Sequence, residues 1–459
     1  MGSQGMKKAG LKESFDYAFR KIVNDKGNRL WKKNGDMDYV CAWFAKAAAY
    51  MHEHHRVRTA FVSTNSITQG EQVSGLWEPL VTNFNLQIPF AWRSFSWLNE
   101  ATDSANVHCV IVAMCCQKTK LSGNCIIYEE GKEPLHCSSI NSYLLPSKQL
   151  FLKTSDPHVH GNTILTMRLG SMPNDTIDIE NPETGKKSKV PMLRLSADER
   201  KEICLKYPEL EKYLPRIFGS DDFISNEKNY CIWLDGNVPN EIIQHVAFKE
   251  RFKKLRDKRL ASTRDATRIL ADTPYLFGEI RQPKHDYLLV PGTSSENRKY
   301  IPMGYVSKDT ICSNAAMTID DCPLWIFAIL TSSVHMAWVN VVCGRLEMRY
   351  RYSIRVVYDN FPFPNLTEEQ INSLNETAQK IMDVREDNAN VTLETLYRVP
   401  MKKDILDAHR ANDKAVMGVY AQWGITKNMT DNEIALALLK KSVEISTQAQ
   451  KKKKVKKCK

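Results

Sequence analysis

A chain of 459 residues with 42% hydrophobic composition has room for two or three domains with real cores, and none of its apolar runs approaches the roughly 20 residues that span a bilayer. The N-terminus, Met-Gly-Ser-Gln-Gly-Met, lacks a signal peptide's apolar region and the Ser or Thr of a myristoylation site, so a cytoplasmic chain is expected. The net charge is +11, but seven lysines crowd the last nine residues; a lysine-rich end attracts polyanions without sequence preference and points only mildly to nucleic acid.

Twelve cysteines with no C-x-x-C fit reduced thiols better than a disulfide framework or a zinc site. His52, His54 and His55 have no further ligand at a recognisable spacing, so no metal is expected.

Asp36 is placed to cap a helix over about 36 to 54, where Met37, Val40, Phe44, Ala47, Ala48 and Met51 recur at helical spacing. A strand from Arg58 to Thr64 follows, then a helix from about Gln69 to Phe84 with Val73, Leu76, Trp77 and Leu80 on one stripe. Strands near Leu86 to Phe95 and Val107 to Met114 complete an α/β arrangement. The second is so continuously apolar that it belongs inside a sheet covered on both faces.

From about Cys125 to Val190 turns and short strands dominate, broken by Pro146, Pro157, Pro173 and Pro182. The run Lys249 to Arg259 sets seven basic residues against two acidic ones, which reads equally as a solvated helix face or a phosphate-contacting one. A buried helix is expected over Leu324 to Val341. After Phe361-Pro362-Phe363-Pro364 the pattern turns helical, opening on a capping box formed by Thr367 and Gln370.

Between these parts lies Arg345-Leu346-Glu347-Met348-Arg349-Tyr350-Arg351-Tyr352, alternating charged and apolar residues with period two. As one strand it puts Arg345, Glu347, Arg349 and Arg351 on a single face. That face is either solvated and crossed by ion pairs, or addresses base edges, where Arg takes guanine O6 and N7 and Glu accepts from cytosine N4.

Several strings carry a resemblance: Asp38 to Ala48 (DYVCAWFAKAA), Ala60 to Gln72 (AFVSTNSITQGEQ), Phe95 to Ala101 (FSWLNEA), Val107-His108-Cys109, Tyr230 to Leu234 (YCIWL), Thr331 to Trp338 (TSSVHMAW), Cys343 to Leu346 (CGRL) and Asn360 to Pro364 (NFPFP). Over nearly the whole chain to about residue 445 it resembles the MmeI-like DNA methyltransferases, adenine-specific enzymes often fused to a restriction nuclease. The resemblance implies a partial class I (Rossmann-like) α/β methyltransferase domain over 1–128, a mixed α+β target-recognition domain over 129–364, an all-α C-terminal module over 365–446, and a lysine-rich disordered tail over 447–459. In this family a glycine-rich loop for S-adenosylmethionine and an Asn-Pro-Pro motif come first. Neither occurs here, and Met1 sits about where the chain would leave the second.

The implied function is sequence-specific DNA recognition within an S-adenosylmethionine-dependent adenine-N6 methyltransferase of a restriction-modification system, with double-stranded DNA as partner. A separate polypeptide would supply the cofactor half, since this chain alone is not expected to bind the cofactor. The alternative is a stand-alone, catalytically inactive DNA-binding module. A nuclease is disfavoured because Glu130 and Glu199 fall at a turn and in a helix, away from a strand that could hold magnesium.

Ser63, Thr64 and Asn65 fall at the carboxyl end of a sheet strand, where open α/β sheets build their sites. Thr64, Asn65, Phe95 and Trp97 are the pocket-lining candidates, with Phe95 or Trp97 stacking on a flipped adenine. Arg345, Glu347, Arg349, Arg351, Lys253, Arg256 and Arg298 are the DNA-binding candidates, with Glu347 and Arg349 setting base choice by analogy with the family. Without the missing half, the strands Arg58 to Thr64 and Val107 to Met114 are expected to expose an edge.

Overall fold

The computed structural model describes residues 3–31, 37–97, 107–116, 124–152, 165–180, 185, 187–235 and 238–457. Two compact units account for the chain: Met1–Ile164 with Ser332–Gln370 and Asp413–Lys459, and Leu165–Thr331 with Ile371–Asn412.

After a short helical segment at Ser3–Lys8, the first unit forms α1 (Lys12–Lys21) and α2 (Cys41–Glu53). The expected cap, Asp36, lies outside the described residues, and α2 starts after Val40 without a side-chain cap. Strand β1 (Arg58–Thr64) has the expected bounds; α3 (Gln72–Phe84) begins later than expected because Asn65–Thr68 forms a separate 3₁₀ turn. Strands β2 (Leu86–Trp97), β3 (Val107–Cys116), β4 (Cys125–Tyr128) and β5 (Leu135–Cys137) join β1 in a sheet of order β1-β3-β2-β4-β5.

Strand β3 runs antiparallel to both β1 and β2. An interior position explains its continuous apolar sequence, and it corrects the expectation that β3 exposes an edge: only β1 does. Helices cover one face of the sheet. Phe44 of α2 packs edge-on against Phe61 and Trp77, with ring centroids 5.1 and 5.6 Å apart, and Trp77 donates to the Ile67 carbonyl at 2.7 Å. On the opposite face Val62 of β1 is 50% exposed, so the expected cover on both faces is found here on one.

The second unit is built on a four-stranded antiparallel sheet. Its strands are β6 (Met167–Leu169), β7 (Tyr287–Pro291), β8 (Gly304–Val306) and β9 (Ala316–Asp320), in the order β8-β7-β9-β6. Every residue of β7 is buried. A second apolar cluster, including Leu193, Leu210, Ile232 and Leu234, receives the stripe Phe248, Phe252 and Leu255 of α4 (Val246–Leu260).

The buried helix expected over Leu324 to Val341 is two helices, α5 (Leu324–Leu330) and α6 (Ser333–Val342). Thr331 turns its hydroxyl back onto the Phe327 carbonyl at 2.8 Å while Ser332 caps the amide of His335 at 3.2 Å, so two adjacent hydroxyls end one helix and start the next. The chain then forms β10 (Gly344–Leu346) and β11 (Arg349–Arg351).

The capping box before α7 (Glu368–Asp387) is present: Thr367 N donates to Gln370 Oε1 at 2.9 Å and Gln370 N to Thr367 Oγ1 at 3.2 Å. Two further long helices follow, α8 (Lys403–Tyr420) and α9 (Asp431–Lys457). Helical structure therefore continues to Lys457, where a disordered tail was expected; lysine is a good helix former and here extends an established helix. Residues 371–412 cluster with the second unit and 413–459 with the first, so the C-terminal helices do not form a compact body of their own.

Candidate nucleic-acid interface

The period-two stretch is a hairpin. Gly344 pairs with Arg351, Arg345 with Tyr350 and Leu346 with Arg349, leaving Glu347 and Met348 as a two-residue turn. Glu347 has φ +56°, the left-handed conformation that the first position of some tight hairpin turns requires and that usually calls for glycine.

This corrects the single-face reading of the four charges. A two-residue turn changes which sequence parity faces outward, so Arg345 shares a face with Tyr350, while Leu346 shares the opposite one with Arg349 and Arg351. Arg345 is used internally: its guanidinium lies 3.8 Å from the Tyr350 ring centroid and donates to the Met348 carbonyl at 3.1 Å, bracing the turn. Arg349 and Arg351 are exposed, and Arg349 Nη2 meets Glu347 Oε2 at 3.0 Å.

The base of the hairpin is held firmly. Tyr350 donates to the Asn340 side chain of α6, and the Tyr352 hydroxyl lies 2.9 Å from His335 Nε2. His335 is fully buried edge-on against Phe361, and burial pushes its pKa down to about 3. The Gly70 amide donates to the Val342 carbonyl at 3.0 Å, beside Gly344.

The strand-end candidates come together on the sheet face opposite the helices. Thr64 pairs with Cys109, which pairs with Phe95, so the three lie in one row across β1, β3 and β2. Asn65 Nδ2 donates to Ser94 Oγ at 3.0 Å, tying the end of β1 to the middle of β2. Ser63 is buried and faces the other way.

An irregularity between Trp92 and Phe95 shifts the register of β2 by one residue, and this has a consequence for the aromatics. Phe90 and Trp92 pair with Ala113 and Ile111, whereas Phe95 and Trp97 pair with Cys109 and Val107. All four partners have the same parity on β3, so Phe90, Trp92, Phe95 and Trp97 share one face although their own numbering changes parity. Tyr128 of β4 stacks on Trp92 with an interplanar angle of 11°. Trp97, at the end of the row, is 47% exposed. Sequence reasoning found only Phe95 and Trp97, because the bulge that aligns the other two has no signal in residue types.

The basic run contributes fewer surface charges than its composition promises. Arg259 is fully buried and donates to the carbonyls of Pro173 and Leu276 at 3.1 and 3.0 Å and of Leu270 and Thr273 at 3.0 and 3.1 Å. Arg251 pairs with Glu199, which also closes a capping box with Ser196. Lys249, Lys253, Lys254, Arg256 and Lys258 remain exposed, while Phe248, Phe252 and Leu255 are buried. Arg298 is drawn inward: its side chain is 13% exposed and lies 3.9 Å from Glu394, which is itself 62% exposed, so this DNA-binding candidate presents little of its guanidinium to solvent.

The histidines singled out by composition have ordinary partners. His52 Nε2 lies 2.9 Å from Asp25 and its ring stacks on Phe84, and His55 Nδ1 lies 3.3 Å from the Cys116 carbonyl.

Two family profiles match the chain: "MmeI, DNA-methyltransferase domain" over residues 11–129 and "MmeI, target recognition domain" over residues 147–365. The chain belongs to the MmeI-like restriction-modification family. It is 34% identical over 413 residues to DNA methyltransferase A of Bacillus subtilis (strain 168), covering 90% of this chain and 45% of that protein. It is similar to the solved structure of the Type IIL restriction-modification enzyme MmeI in complex with DNA, with 36% identity and a TM-score of 0.81 over 95% of this chain and 55% of the other. The chain thus spans about half the length of these MmeI-like relatives.

DNA methyltransferases use S-adenosylmethionine, and by resemblance to the family a glycine-rich loop would cradle it. The sequence contains neither a glycine-rich G-x-G-x-x-G loop nor an Asn-Pro-Pro string. Gly70 is the left-handed glycine just before α3, but a Cβ built there would meet Gly344 Cα at 3.3 Å. Protein backbone, not open space, fills that position.

Proposed function

We propose that this chain is the DNA-reading portion of an adenine-N6 methyltransferase, with the hairpin of β10 and β11 entering the major groove of double-stranded DNA. The observation that carries the reading is the pair Glu347 and Arg349, 3.0 Å apart at a two-residue turn. Both side chains are substantially solvent-exposed, so their mutual ion pair stabilises the free protein little and exchanges readily for base contacts. On DNA, Arg349 donates to guanine O6 and N7 while Glu347 accepts from the paired cytosine amino group, each contact supplying roughly 1 to 3 kcal/mol of discrimination. Lys249, Lys253, Arg256 and Arg351 add phosphate contacts that position the protein without reading sequence.

Adenine methylation requires the target base to leave the helix. Phe95 and Trp97 supply flat apolar faces against which the flipped adenine stacks, and Thr64 and Asn65 border that space. A second polypeptide brings the cofactor, and β1 supports this reading: it is one of the two edge strands of its sheet among the described residues, and exposed Val62 lies on the face the helices leave open. The proposed setting is the cytoplasm; among the described residues no single helix is long and apolar enough to cross a membrane.

The test is protection of DNA from restriction in cells expressing this chain alone, or together with a polypeptide carrying the family's glycine-rich loop and Asn-Pro-Pro motif. Protection only with both supports the reading. Protection by the chain alone, or a stoichiometric calorimetric heat when the isolated chain meets S-adenosylmethionine, overturns the two-polypeptide scheme. DNA binding without protection in either case favours the stand-alone binding module.

A further inference from the structure

The hairpin presents one apolar side chain that its own packing does not use. Tyr350 and Tyr352 are each 5% exposed, whereas Leu346 is 46% exposed. The register sets Leu346 directly opposite Arg349, on the outward face. Arg345, its neighbour in sequence, points to the other face and is spent on the Tyr350 ring and the Met348 carbonyl. Any surface that meets the guanidinium of Arg349 therefore also meets the Leu346 methyl groups, since directly opposed residues of an antiparallel pair have Cβ atoms about 4.5 to 5.5 Å apart.

We infer that Leu346 reads a thymine 5-methyl group next to the base pair addressed by Glu347 and Arg349. The inference rests on the proposal that this hairpin enters the major groove. The thymine methyl is the one apolar group on the base edges displayed in that groove, so it is the partner an exposed leucine among charges is suited to. Contact removes apolar surface of both groups from water without asking for a hydrogen bond. The rigid support of the ribbon, from Tyr350 to Asn340 and from Gly70 to Val342, holds Leu346 in place, so little ordering cost accompanies binding.

The experiment begins with the full chain and a random duplex library, from which the bound sequences are enriched. Each thymine of the enriched duplex is then replaced singly by deoxyuridine, which lacks only the 5-methyl group. Dissociation constants are measured by fluorescence anisotropy for the wild-type chain and for Leu346→Ala. At one position deoxyuridine weakens wild-type binding roughly three- to tenfold, and Leu346→Ala binds the thymine and deoxyuridine duplexes equally. The salt dependence and melting temperature of Leu346→Ala stay at wild-type values, because the side chain touches no phosphate and supports no core.

Two results overturn the inference: a wild-type chain indifferent to deoxyuridine at every position, or a Leu346→Ala chain that keeps the full discrimination. Failure to enrich any sequence is a different result, since it removes the groove-reading hairpin itself and Leu346 with it.

Discussion

Gly70 and Gly344 approach so closely that a Cβ on Gly70 would stand 3.3 Å from Gly344 Cα. The contact links the segment following the Thr64 strand end to the root of the hairpin proposed to read DNA. The requirement for glycine lies at Gly70, whose φ is +66° and whose side chain would press on the neighbouring backbone; a Cβ on Gly344 would meet Gly70 Cα at 3.8 Å, an ordinary contact.

Replacing Gly70 by Ala is expected to lower unfolding free energy by about 1 to 2 kcal/mol from the left-handed conformation alone, with a further decrease from crowding against Gly344. Gly131→Ala is the control, because Gly131 has φ +70° with nothing within 4 Å of its Cβ position. Urea denaturation of both variants checks this, and equal decreases would show that the approach of Gly344 contributes nothing.

Glu347 holds a left-handed backbone position, φ +56°, which in the proposed reading is kept for its carboxylate. Glu347→Gly is expected to leave stability unchanged or raise it by about 1 kcal/mol while abolishing preference at one base pair. The double substitution Glu347→Lys with Arg349→Asp is expected to change which base is preferred there. Selection from a random duplex library distinguishes the outcomes; a uniform loss of affinity for all sequences would make these residues phosphate positioners.

Salt dependence separates the basic residues of the second unit. Lys253→Ala with Arg256→Ala is expected to reduce the slope of log K against log salt by about 2, close to 0.9 for each phosphate that is no longer neutralised. Arg298→Ala is expected to leave that slope alone and lower stability instead, through the lost packing of a side chain only 13% exposed rather than through Glu394, which is 62% exposed. Binding titrations at several salt concentrations, with thermal melts alongside, test the contrast.

Acid sensitivity follows from two buried imidazoles. Burial pushes His335 down to about 3 and, with the Arg385 and Lys299 charges adding to it, holds His409 well below its ordinary value. A histidine whose folded pKa is depressed binds a proton only in the unfolded state, so its penalty is absent above about pH 6.5 and grows as pH falls toward the folded pKa. Each contributes about 1.4 kcal/mol per pH unit in that window. Stability measured from pH 7 to pH 4.5 should fall steeply, and His335→Phe should make the fall shallower; an unaltered slope would rule His335 out as a contributor.

Much of the first unit is legible in residue order. The bounds of β1, the interior character of β3 and the Thr367 capping box depend on neighbours in sequence, and there the local pattern matches the structure. Most of the strings that mark the MmeI-like family lie in that unit, though Tyr230 to Leu234 lies in the second. Where sequence reasoning missed, the cause was a contact between distant residues or a turn without its usual residues. Arg298 is as basic in sequence as Arg256, and only the tertiary fold reduces its side chain to 13% exposure.

The stretch from Arg345 to Tyr352 divides the two sources of information. Its alternation determined that one set of side chains is charged and the other apolar, and that Glu347 and Arg349 act as neighbours. Period two is equally compatible with one strand and with two strands joined by a two-residue turn, and a glutamate in the left-handed conformation gives no turn signal. Only the pairing of Leu346 with Arg349 decided which residues share a face, because that choice depends on hydrogen bonds across the ribbon rather than on the order of residues along it.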